Sequence, residues 1–264
     1  MKAIVFVGGG RITSALLAGL RLANFRGPLL VYDHHPEKLR RLGKLYRIKA
    51  EQSLPRALLQ ARILIIAVRP ASVSHLLREI RVINRPLVAI SLAAGIPLAN
   101  LQKRLPAPVR WARAMPSPAC RAGRGLTALA FAHDFPAAAK REIRNLFGLV
   151  GPVLEISERK LDAFTVTYSC SHGYHALSTL SAAAEELGLD RKTAVIAAAH
   201  ALADGIMAWR DSKVSLQALV REAATPGGIA AGVMGAMDRA GYKKVVMRGL
   251  EAGLSRTREN SKLI

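Results

Sequence analysis

Short runs of uninterrupted apolar residues alternate with helix-period segments through the first half of the chain, and this alternation constrains the fold most tightly. The runs are AIVFVG (3–8), PLLVYD (28–33), ARILIIAV (61–68) and PLVAISLAA (86–94). Between them, ITSALLAGLRLA (12–23), PEKLRRLGKLY (36–46) and ASVSHLLREI (71–80) repeat apolar residues at helical spacing. A strand with alternating apolar and polar residues buries one face, whereas a strand apolar throughout buries both. Such strands, separated by helices, predict a parallel sheet covered on both sides. PVRWARAM (108–115) and LTALAFA (126–132) add strands before a helix around 136–149.

The alternation stops near Leu161. AAAEELGLDRKTAVIAAAHALADGIMAW (182–209) and AAGVMGAMDRAGYKKVVMRGLEAGLSRTREN (230–260) carry helical periodicity and no convincing strand. The change of class falls in GPVLEISERK (151–160). The fold class expected is therefore α/β: a Rossmann-type parallel sheet with helices on both faces over residues 1–154, then an all-helical domain over 155–264. At 264 residues, two buried cores are affordable.

The first strand runs directly into glycines in VFVGGGRITSAL (5–16). Gly8-x-Gly10-x-x-Thr13 has the form of a dinucleotide fingerprint. Gly8 permits the tight turn, Gly10 lets the backbone approach a pyrophosphate, and a helix opening at Arg11 and Ile12 aims free amides at it. Thr13 replaces the usual third glycine or alanine. Asp33 closes the second strand, where an acid accepts from a ribose 2′-hydroxyl and repels a 2′-phosphate, so it leans towards NADH. His34, His35 and Lys38 follow and soften that repulsion, so NAD(P)H is the expected cofactor with its form left open.

Charge is unevenly placed. Residues 1–152 hold 25 Lys and Arg against 6 Asp and Glu, whereas residues 153–264 hold 14 against 12. A basic first half attracts anions such as a dinucleotide or a carboxylate substrate. No lysine-rich tail, aromatic-basic motif or zinc spacing accompanies it, which argues against nucleic acid. Cys120 and Cys170 form no CxxC pattern, so neither a disulfide framework nor a metal is expected. No window reaches the ~18 apolar residues of a membrane span, and a cytoplasmic location is expected.

Six collinear stretches then read together: AVRP (67–70), SLAAGIPLANLQKRL (91–105), RAMPSPACRAGRG (113–125), LDAFTVTYSCSHGY (161–174), TPGGIAAGVM (225–234) and GLSRTREN (253–260). In order and spacing they resemble the pyrroline-5-carboxylate reductases, whose signature runs "AVKP", "S…AG", "MPNTPA.VG.G", "DA.T..SGSGPAY", "PGGTT" and "R..EL". The resemblance implies a homodimer, or a higher oligomer, formed through the helical domain. It also implies reduction of a cyclic imine carboxylate by a nicotinamide hydride, giving proline in typical members. Onto the cofactor side it carries Ala67, Arg69, Pro70, Ala94, Gly95, Met115 and Pro116, beside Gly8, Gly10, Asp33 and His34. Onto the substrate side it carries Ser169, Ser171, Thr225, Gly227, Gly228, Ile229 and Ala230, with Thr225 at a helix cap and the Gly-Gly amides facing a carboxylate.

Three motif positions depart from the signature. The family's second threonine in "PGGTT", placed near the imine nitrogen, is Ala230, whose methyl cannot donate a proton. In the serine-glycine motif, His172 replaces proline while Tyr174 matches, and in "MPNTPA" the asparagine is lost. These changes mark the chain as a divergent member. His172 is the leading replacement donor, since an ordinary imidazole titrates near ~6.5, with Tyr174 and Thr225 behind it. The alternative is a non-catalytic dinucleotide-binding homologue.

Overall fold

The computed structural model describes residues 2–264 and separates into two compact units: the chain through Thr167 together with Ala252–Ile264, and Tyr168–Glu251. The first unit carries eight strands: β1 (Ala3–Val7), β2 (Leu29–Tyr32), β3 (Lys49–Glu51), β4 (Ala61–Ile66), β5 (Leu87–Ser91), β6 (Val109–Met115), β7 (Thr127–Phe131) and β8 (Val153–Glu155). They form one sheet in the order β3-β2-β1-β4-β5-β6-β7-β8. Every neighbouring pair is parallel except β6 with β7.

Its helices are α1 (Arg11–Leu22), α2 (Pro36–Tyr46), α3 (Leu54–Gln60), α4 (Pro70–Ile80), α5 (Leu98–Arg104), α6 (Ala137–Gly148) and α7 (Glu158–Thr167). The period of two along β1 and β4 sorts their side chains onto the two faces. Ala3, Val5, Val7, Leu64 and Ile66 join α3, α4 and α5 in one core. Ile4, Phe6, Ile63 and Ile65 join α1, α2 and α6 in the other. No residue of β1 is more than 5% exposed, so both faces contribute to its stability at about 1.5–3 kcal/mol per large side chain.

The second unit holds α8 (Cys170–Glu186), α9 (Arg191–Asp211), α10 (Leu216–Ala223), α11 (Ile229–Arg239) and the first half of α12 (Tyr242–Ser261). α8 and α9 pack together, and their buried residues are small: Ser181, Ala194 and Ala198. Small side chains let helix axes approach closely. The single chain leaves Ile206, Met207, Val233 and Val246 exposed. Among the described residues no helix is long and apolar enough to cross a membrane.

The outline of the units differs from a division at residue 154. α7 stays with the sheet because Leu161 is fully buried against β7, and residues 252–264 return to the sheet unit from the chain's far end.

Candidate functional site

Strand order reverses between β1 and β4, and such a reversal opens a crevice at the carboxyl ends of the strands. The backbone narrows there around one glycine. Gly8 adopts φ +104, and a Cβ on it would lie 2.8 Å from the Ala67 carbonyl oxygen. Only glycine fits this close approach of the turn after β1 to the strand end of β4. Its N–H donates to the Tyr32 carbonyl at 2.8 Å, while Ala67 N–H donates to Val7, so three strand ends are laced together.

Gly10 caps α1 with extended backbone, and the space where its Cβ would stand is open. The first intrahelical bond runs from Ser14 N–H to the Gly10 carbonyl, leaving the amides of Arg11, Ile12 and Thr13 directed out of the helix end. Thr13 is fully buried, and its hydroxyl donates to the Gly8 carbonyl at 2.6 Å. The departure from the glycine pattern thus reinforces the turn, because the hydroxyl finds a local partner.

Asp33 follows β2 and is 5% exposed. Its Oδ2 accepts the Gly9 N–H at 2.8 Å, and its Oδ1 accepts from the His35 N–H at 2.9 Å and lies 2.8 Å from His35 Nδ1. Lys38 Nζ stands 3.8 Å from Oδ2. Burial pushes the carboxyl up, but the Gly9 and His35 amides, the His35 ring and Lys38 outweigh it and hold the group below the usual carboxylate range. The lean towards NADH, within a form left open, rested on a carboxylate free to reach a ribose. Here the carboxylate is turned inward and organises the loop, while exposed His34, half-exposed His35 and Lys38 surround it.

A cavity of about 770 Å³ at this crevice gathers Gly8, Gly10, Asp33, His34, Ala67 and Arg69. Of the other residues expected on the cofactor side, Arg11 and Ile12 form the first turn of α1, and Pro70 opens α4 directly after Arg69. Ala94, Gly95, Met115 and Pro116 lie beyond the ends of β5 and β6, outside that cavity. His35, Lys38, Ser72 and His75 line it as well. For Ser72 and His75 the signal was their position in the first turns of α4, immediately after the AVRP loop.

Farther along the sheet, Arg113 on β6 is 2% exposed and reaches Asp162 at 2.8 Å and Glu158 at 3.2 Å, both on α7. Glu158 also accepts the Leu98 N–H at 2.6 Å, joining the start of α5 to the same carboxylate. This network was not singled out in the sequence, where Arg113 read as the end of a strand and the start of the stretch RAMPSPACRAGRG.

In the second unit, Ser169 caps α8, accepting from the Ser171 N–H, with the two hydroxyls 2.6 Å apart. His172 and Tyr174 follow on the first turns of α8 and are exposed. The Pro-Gly-Gly turn opens α11 with Gly228 as the capping residue. This corrects the cap assigned to Thr225: the turn closes by Gly228 N–H donating to the Thr225 carbonyl at 2.9 Å, and the Thr225 hydroxyl donates back to Glu222. The first bond of α11 reaches Gly228 from Gly232, so the amides of Ile229, Ala230 and Ala231 have no intrahelical acceptor. Ile229 is 90% exposed.

Residues 158–260 match the family described as pyrroline-5-carboxylate reductase dimerisation. Residues 3–95 match the family described as NADP oxidoreductase, coenzyme F420-dependent. Along nearly the whole length, the chain is 29% identical to the pyrroline-5-carboxylate reductase of Mycobacterium tuberculosis, covering 98% of this chain and 97% of that protein. The chain belongs to the pyrroline-5-carboxylate reductase family. As a pyrroline-5-carboxylate reductase family member it is an NAD(P)-dependent reductase. The relative from Corynebacterium melassecola is 26% identical over 99% of this chain and all of that protein. The fold is that of the Plasmodium falciparum pyrroline carboxylate reductase with NADP bound, at a TM-score of 0.86, 21% identity and 98% coverage of each chain.

Proposed function

We propose that this protein reduces a cyclic imine carboxylate, pyrroline-5-carboxylate or a close relative, by hydride transfer from NADPH to the imine carbon. The observation that carries the reading is the crevice between β1 and β4, where a glycine turn, an open helix end and an inward-turned Asp33 stand together.

These residues fit a dinucleotide. The open space beside Gly10 and the free amides of α1 suit a pyrophosphate, and Arg11 at the same helix end adds positive charge. His34, His35 and Lys38 suit a 2′-phosphate on the adenosine ribose, because they present donors while the Asp33 charge is spent on Gly9 and His35. The cofactor, when bound, supplies the hydride. Ala67, Arg69 and Pro70, with Ala94, Gly95, Met115 and Pro116, are assigned to the remainder of its binding edge.

The substrate carboxylate is assigned to the amides of Ile229 and Ala230 after Gly227-Gly228, with Ser169 and Ser171 as further polar groups. An imine carboxylate held by fixed donors needs little further chemistry, since orientation supplies much of the barrier reduction. Its nitrogen needs a proton. With alanine at position 230 and the Thr225 hydroxyl turned to Glu222, His172 is assigned as the donor and Tyr174 as second choice. Two copies are proposed to pair through the second unit, covering apolar residues such as Ile206, Met207 and Val246.

A screen of NADPH and NADH against five- and six-membered cyclic imine acids tests this reading. Cofactor binding without oxidation of either form would favour the non-catalytic homologue, for which the missing hydroxyl at Ala230 is the reason to consider it.

A further inference from the structure

The loop between β5 and α5 is held from its far side by the last turns of α12. Gly95 adopts φ +76, and a Cβ there would stand 2.5 Å from the Thr257 carbonyl oxygen and 2.9 Å from Asn260 Cβ. Asn260 Nδ2 donates to the Ala94 carbonyl at 3.2 Å. Asn100 on α5 returns the contact, its Nδ2 donating to the carbonyls of Ser261 at 2.9 Å and Ile264 at 3.0 Å. Thr257 is 5% exposed, and Ile264 packs against the core beneath α5. At its other end the loop is tied to the crevice, because Leu92 N–H donates to the Ile66 carbonyl, one residue before Ala67.

A planar trans peptide points its carbonyl and N–H in opposite directions. Fixing the Ala94 carbonyl on Asn260 therefore aims the Gly95 N–H away from α12. Among the described residues that N–H has no hydrogen-bond partner. We propose that Asn260 is a positioning residue: through Ala94 it holds the Gly95 amide as a preset donor to the nicotinamide half of the bound cofactor. This rests on the reductase reading above.

The test measures binding of NADPH and NADH, and separately of AMP and its 2′-phosphorylated form, to full-length Asn260→Asp and Asn260→Ser. The first variant keeps the shape and removes the donor; the second removes the reach. One lost hydrogen bond is expected to weaken dinucleotide binding about fivefold to tenfold, with binding of the adenine-half ligands changed less than about twofold. Should both fail to fold, Asn100→Ala, which loosens the same residues from α5, is expected to give the same split. Equal weakening of whole and half ligands, or no weakening of either, overturns the positioning role. Failure of the unsubstituted protein to bind either dinucleotide would overturn the reductase reading first, and this role with it.

Discussion

The Asp33 carboxylate accepts the Gly9 backbone N–H at 2.8 Å, across a sequence separation of 24 residues. One bond thus ties the end of β2 to the glycine turn after β1. Asp33→Ala leaves the buried Gly9 amide and the part-buried His35 amide without this acceptor, which costs about 1–3 kcal/mol. Urea unfolding is expected to show that loss, and cofactor titration a weaker dissociation constant, because the turn is no longer held.

The same contact sets a pH dependence. The folded carboxyl is held below its ordinary value, so it contributes stability once pH exceeds the unfolded pKa of ~3.9. That contribution disappears as pH falls through the lower folded value. The stability difference between the unsubstituted protein and Asp33→Asn is expected to be constant above about pH 5 and to shrink below about pH 4. A difference that grows on acidification would contradict the orientation described for the carboxylate.

Lys38 stands at the cavity rim, 41% exposed. Lys38→Ala is expected to weaken NADPH about threefold to tenfold while leaving NADH nearly unchanged, since only the former carries a 2′-phosphate. The difference should narrow as salt is raised. Fluorescence titration at two ionic strengths checks both statements.

Arg113 is almost fully enclosed, and its Nε has no hydrogen-bond partner among the described residues. Removing one carboxylate therefore leaves the buried charge with a single acidic partner. Asp162 and Glu158 are each about one-third exposed, which screens the interaction, so Asp162→Ala is expected to cost about 1–3 kcal/mol rather than the full cost of a broken buried pair. Thermal unfolding checks this, and loss beyond that of Asp162→Ala is expected when Glu158 is replaced as well.

Much of the sheet unit was readable because its strands are apolar on both faces. α2 matched residues 36–46 because Pro36 opens it and Leu39, Leu42 and Tyr46 bury one face. β3 and β8 were not, since Lys49–Glu51 and Val153–Glu155 are short, partly polar edge strands without the apolar signature. Nor does sequence encode that β7 runs against β6: an antiparallel neighbour buried on both faces looks the same as a parallel one. At the site, the glycine turn and Asp33 were legible, but the direction of the carboxylate was not. That direction depends on Gly9 and His35 coming together in space. The contact of Asn260 with Ala94 joins residues 166 positions apart and leaves no local pattern.

The proton donor is open to a direct swap. His172→Ala is expected to lower kcat about hundredfold, the lower end of the range for a positioned general acid, with KM for NADPH unchanged. Ala230→Thr restores a hydroxyl in the first turn of α11 and is expected to recover part of that loss when combined with His172→Ala. An unchanged rate in His172→Ala would remove the imidazole from the reaction.

The most direct test of the reductase reading is the steady-state oxidation of NADPH by the purified full-length protein with pyrroline-5-carboxylate, run beside the six-membered analogue and an NADH control. Loss of reduced-nicotinamide absorbance that saturates with one of these imines, faster with NADPH, is the expected result. Saturable NADPH binding with no oxidation above the protein-free rate, for any of these imines, would contradict it.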